Sequence, residues 1–131
     1  MRRTVLGSVV VLLVIGVGSV LAEDGAFATA IVCTGGEDRA PVGVAESFPA
    51  TVGLLYCFSE VKGGTDKVVH VWYFNDKEVR RTELPVKAAR WRTWSTKSVP
   101  ATATGGWRVE VQDGAGKVLA TSSFTIESAH P

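Results

Sequence analysis

Histidine, cysteine and net charge are all scarce in this chain of 131 residues, which has two histidines, two cysteines and 14 basic against 13 acidic side chains. One histidine, His130, sits in the C-terminal tail, so His70 has too few companions to build a zinc or copper centre. The cysteines, Cys33 and Cys57, form no CxxC pair, which excludes thiol–disulfide exchange of the thioredoxin type. The near balance of charge removes any global attraction to nucleic acid. There is no Gly-x-Ser-x-Gly elbow and no phosphate loop; Gly35-Gly36 and Gly63-Gly64 read as turn glycines. Glu37-Asp38 and Asp113 are too sparse for a calcium site. No segment after residue 28 carries a helical period.

One long apolar run is present. It extends over 18 uncharged residues from Val5 to Ala22, behind Met1-Arg2-Arg3. A basic start, an apolar stretch and a small-residue end describe a secretory signal peptide at residues 1–22, with cleavage after Val20-Leu21-Ala22. The rival reading is an uncleaved membrane anchor, which the interspersed Gly7, Gly16 and Gly18 make a weak span. Cys33 lies too far along for a lipoprotein signal. Without Arg2 and Arg3, 12 basic face 13 acidic residues, a net charge near −1. The expected location is periplasmic or secreted, in a bacterial envelope. In that oxidising setting an even cysteine count favours a Cys33–Cys57 disulfide, and two small buried thiols that never meet are the alternative. The chain-entropy argument gives such a bridge about 3 kcal/mol.

After a linker at 23–28, short apolar or alternating runs recur about every ten residues with turn residues between them. Thr29 to Cys33 reads as a strand, and Thr34 to Pro49 as a loop with at most a short edge strand. Thr51 to Glu60 and Lys67 to Phe74 are strands, the second apolar on both faces and so expected as a central strand covered on both sides. Asn75-Asp76 is a hairpin signal. Glu78 to Val86 reads as an edge strand because of Pro85. Arg90 to Ser98, Trp107 to Gln112 and Lys117 to Ile126 complete the set. All four tryptophans lie between residues 72 and 107, in three of these strands. The expectation is an all-β, immunoglobulin-like β-sandwich of about seven antiparallel strands over residues 29–127, with a tail at 128–131.

Three of these strands carry a resemblance. His70-Val71-Trp72-Tyr73, Trp91 to Ser95, and Gly105 to Val109 followed by Gly116 to Leu119 resemble the bacterial family catalogued as domain of unknown function 2914, from about Ala30 to Ile126. The resemblance implies a compact extracytoplasmic β-domain and supplies no activity.

Two constellations remain. His70 could serve as a general base, but no motif supplies its nucleophile or acid, and a buried, hydrogen-bonded histidine is the structural alternative. Thr93, Ser95, Thr96 and Ser98 read as half-buried strand residues rather than nucleophiles. The stretch from Lys77 to Lys97 holds seven cations against two acids, a local charge of +5. Within it Arg90, Arg92, Trp94 and Thr96 share one face. If Trp91 turns to the core, Trp94 lies outside beside Arg90 and Arg92, able to bind a sugar ring or an anion. The structural alternative is that the arginines lie over Trp94 and keep the edge soluble. The expected function is a non-enzymatic module for protein interaction or envelope structure, using the edge around Arg80 to Val86. A carbohydrate- or anion-binding module on Trp94, Arg90 and Arg92 is the alternative, and a small hydrolase centred on His70 a weaker one. No cofactor and no metal is expected. The partner would be an envelope protein or an anionic or carbohydrate ligand, not nucleic acid, with membrane contact only if residues 1–22 stay attached.

Overall fold

The computed structural model describes residues 25–128. The expected signal segment at 1–22 and His130 lie outside the described residues. The strands are β1 (Phe27–Ala28), β2 (Ile31–Cys33), β3 (Gly35–Glu37), β4 (Ala40–Val42), β5 (Ser47–Pro49), β6 (Leu54–Lys62), β7 (Lys67–Phe74), β8 (Lys77–Pro85), β9 (Arg90–Ser98), β10 (Gly105–Asp113) and β11 (Val118–Glu127). They form an all-β sandwich. The smaller sheet runs β9–β6–β1, with β2 paired to β6 along the same edge as β1. The larger runs β5–β11–β10–β7–β8, and β3–β4 is a separate hairpin. Every pairing is antiparallel except β5 with β11.

Period-two patterning builds the long strands. In β10, Trp107, Val109 and Val111 are buried while Arg108, Glu110 and Gln112 take the opposite face. In β9, Thr93 and Ser95 turn inward and Arg90, Arg92 and Trp94 outward. The turns follow from local chemistry. Asn75 and Asp76 both take left-handed backbone, φ 52° and 64°, which matches the twist between β7 and β8. Between β10 and β11 the Asp113 carboxylate accepts the amides of Ala115 and Lys117, both at 2.9 Å.

The core between the sheets has two apolar parts. One gathers Leu55, Cys57, Trp72, Trp107, Val109, Phe124 and Ile126; the other, Ala28, Val61, Val68 and Val111. Aromatic edges and faces tie the first together, with Phe124 stacked on Trp107 at 5.9 Å and edge-on to Trp72 at 6.3 Å. Between the two parts, on β7, β6 and β9, lies a polar belt of His70, Ser59, Thr93 and Ser95, all buried.

Three features depart from the sequence reading. Residues 34–49 are not mainly loop. They hold the β3–β4 hairpin, turned by Asp38 and Arg39 at φ 50° and 64°, and β5, whose buried Phe48 packs edge-on to Phe124. Among the described residues no further layer of structure covers the second apolar face of β7. Val71 is fully buried with Glu110 and Arg81 as its cross-strand neighbours, and the stems of such side chains shield apolar surface.

The expected Cys33–Cys57 disulfide is not formed; both cysteines are buried free thiols. The β2–β6 register gives the reason, pairing Val32 with Cys57 and Cys33 with Tyr56. The thiols are thus one position out of phase and belong to opposite faces of the sheet. Cys33 lies on the outer face, its thiol donating to the Gly35 carbonyl, and Cys57 lies in the core.

Candidate functional site

The polar belt brings together residues that lie far apart in the chain. His70 Nδ1 is 2.6 Å from Ser95 Oγ, and His70 Nε2 is 2.9 Å from Ser59 Oγ. The Trp72 indole N–H donates to the same Ser95 Oγ at 3.2 Å. Ser95 accepts from the Trp72 N–H, and two tautomers satisfy the rest: Ser95 donates to Nδ1 while Nε2–H donates to Ser59, or Ser95 also accepts from Nδ1–H while Ser59 donates to Nε2. The imidazole is then neutral, and burial pushes its pKa down from 6.5 to about 4. A serine and a histidine do meet here, although no sequence motif announced it. Among the described residues no carboxylate contacts the ring, and His70 is 0% exposed, so the arrangement ties the two sheets together inside the core.

The outer face of the smaller sheet is different. Trp94 is 46% exposed, its ring stacked on Phe58 with centroids 5.6 Å apart and planes 26° from parallel. Phe58 stacks in turn on Tyr56, at 6.1 Å. The register sets these rings in place, since Trp94 is directly opposite Phe58, and Phe58 directly opposite Ile31. One step along, Arg92 is opposite Glu60. The β3–β4 hairpin folds over this face, close enough that a Cβ on Gly36 would stand 2.5 Å from Phe58 Cζ.

Between hairpin and sheet is a concavity of about 220 Å³, lined by Ile31, Arg39, Pro41, Phe58, Glu60 and Arg92 among others. Arg90 turns its guanidinium to Glu60, and this hydrogen bond holds the Glu60 carboxyl below the usual carboxylate range. Of the residues singled out in the sequence, the structure places Arg92 in the lining of the concavity, stacks Trp94 on Phe58 next to it, and commits Arg90 to an ion pair. Sequence reasoning missed Arg39 and Phe58. The Tyr56–Phe58 alternation was the available signal for Phe58. Arg39 was hidden because the hairpin that carries it was read as loop.

Elsewhere, among the described residues, no three His, Cys, Asp or Glu side chains converge as a metal cluster. The edge strand β8 presents Lys77, Arg80 and Arg81 to solvent and ends in Pro85.

Residues 65–126 match the family DUF2914, a protein of unknown function. The match supports the resemblance seen in the sequence, but it begins at Thr65 rather than near Ala30. The DUF2914 stretch runs from the turn before β7 almost to the end of β11. It contains His70, Trp72, Arg92, Trp94 and Ser95. Phe58, Ser59 and Arg39, which complete the belt and the concave face, precede it. No curated protein matches the chain.

Proposed function

We propose that this chain is a non-enzymatic binding module of the bacterial envelope, secreted or periplasmic, and that its ligand lies on the outer face of the smaller sheet. The observation that carries the reading is Trp94, half open to solvent yet held flat by Phe58 beside a concave surface. An indole fixed in one orientation loses little entropy when a ligand ring stacks on it. A sugar ring or an anionic group fits a face that pairs an open indole with guanidinium groups.

The test is tryptophan fluorescence of the full chain titrated with a panel of envelope glycans and anionic polymers, set against the Trp94→Ala variant. A saturable change that vanishes in the variant supports the reading. A folded protein that gives no change with any of them removes it and sends the search to protein partners. The β8 edge supports a protein partner less well, because exposed cations and a terminal proline discourage the addition of a strand.

A further inference from the structure

Resting on that binding-face reading, we infer that the concavity beside Trp94 is a carboxylate subsite and that the ligand is an acidic sugar, a hexuronate within an oligosaccharide. Arg39 and Arg92 line it from opposite sources, one from the tip of the β3–β4 hairpin and one from β9. Among the described residues Arg81, Arg90 and Arg108 are each ion-paired to a carboxylate, while Arg39, Arg92 and, on the β8 edge, Arg80 are not. Glu60, the one acid lining the concavity, is already answered by Arg90. The Arg90 hydrogen bond holds the Glu60 carboxyl low, and Arg92, cross-strand from Glu60, adds to this; neither lining arginine is itself ion-paired among the described residues. A guanidinium fork matches a planar carboxylate through two parallel hydrogen bonds.

Arg39 is the second of the two left-handed residues that turn the β3–β4 hairpin, and that turn carries it over the outer face of the sheet. The floor is apolar, from Phe58, Ile31 and Pro41, and suits the C–H face of a sugar ring. A volume of about 220 Å³ lies below the range of roughly 300–1,000 Å³ for drug-sized ligands, which matches a single ring rather than a folded chain. Trp94 then offers its face to the neighbouring ring of the same oligosaccharide.

The experiment measures binding of the full chain to trigalacturonate and a hyaluronan hexamer, each as the free acid and as its methyl ester, with poly-glutamate and inorganic phosphate as further probes. The ester keeps the ring and removes the charge. The expected result is at least tenfold weaker binding of the ester. Arg39→Gln and Arg92→Gln should each weaken the acid about tenfold without changing the ester, and Trp94→Ala should weaken both. Circular dichroism of the two surface variants checks that they stay folded. Acid and ester binding equally well would overturn the carboxylate subsite while leaving the Trp94 face intact. Poly-glutamate or phosphate binding as tightly as the uronates would overturn the sugar assignment. No binding by any probe would overturn both the subsite and the binding face.

Discussion

His70 occupies a position in the core that an apolar residue could fill, and both of its ring nitrogens are engaged. Its pKa is depressed from 6.5 to about 4, so the unfolded chain takes up a proton more readily than the folded one. Stability should therefore fall as pH drops through 6.5 and level off below about 4, a loss of about 3 kcal/mol at 1.36 kcal/mol per pH unit. Glu60 and Glu78, whose carboxyls are held low by Arg90 and Arg81, lose their contributions in a more acidic window. Urea unfolding followed from pH 7 to pH 4 checks this, and His70→Gln should flatten the curve because glutamine cannot titrate. Ser95 has two dependants, the His70 ring and the Trp72 indole. Ser95→Ala leaves both unsatisfied in the core and should cost about 3 kcal/mol, more than Ser59→Ala, which strands only one. Equal losses in the two variants, read from urea midpoints, would contradict the shared role of Ser95.

At the scale of elements, β9 was legible almost to the residue. Its alternation of Trp91, Thr93 and Ser95 against Arg92 and Trp94 has period two, and a period-two pattern fixes faces without any knowledge of neighbours. The same holds for β10 and for the Asn75-Asp76 turn. The β3–β4 hairpin was not legible. Gly35-Gly36 carries no side chain to alternate, and the turn is made by Asp38-Arg39 rather than by an Asn-Gly or Asp-Gly pair. The partner of Ser95 was hidden for a different reason: His70 reaches it across two sheets, and sequence spacing holds no record of how sheets stack. Gly36 joins the hairpin to the binding face. A methyl there would press on Phe58, whose ring is already fixed by Tyr56 and Trp94. Gly36→Ala should cost about 1–2 kcal/mol by overpacking and shift Trp94 emission as the stack moves. If stability and emission were both unchanged, the hairpin would not rest on Phe58 as described.

At the scale of the whole molecule, the two outer faces are unlike. The larger sheet closes its surface with ion pairs, Arg108 to Asp76 and Glu110, Arg81 to Glu78, and Lys67 to Glu83. Tyr73 lies beneath Arg108, whose guanidinium carbon is 3.9 Å from the ring centroid. The smaller sheet and the hairpin over it present an open indole with Arg39 and Arg92 outside any ion pair among the described residues, as Arg80 is on the β8 edge. The edge of that smaller sheet is set by the register of β2 on β6, and the cysteines report on it. With Cys33 opposite Tyr56 and Cys57 opposite Val32, a bridge would need β2 to slip by one residue. That slip would turn Val32 out of the core and Cys33 into it. Burial pushes the Cys57 thiol up to about 12, so it is neither ionised nor reachable while the domain is folded. The folded protein should therefore unfold at the same urea concentration with and without reductant. Its two thiols should react with a disulfide reagent only as fast as the chain opens. A drop of about 3 kcal/mol on reduction would match the loop-closure value of a bridge. It would mean that β2 pairs in the slipped register, and the concave face built on Ile31 and Phe58 would have to be redrawn with it.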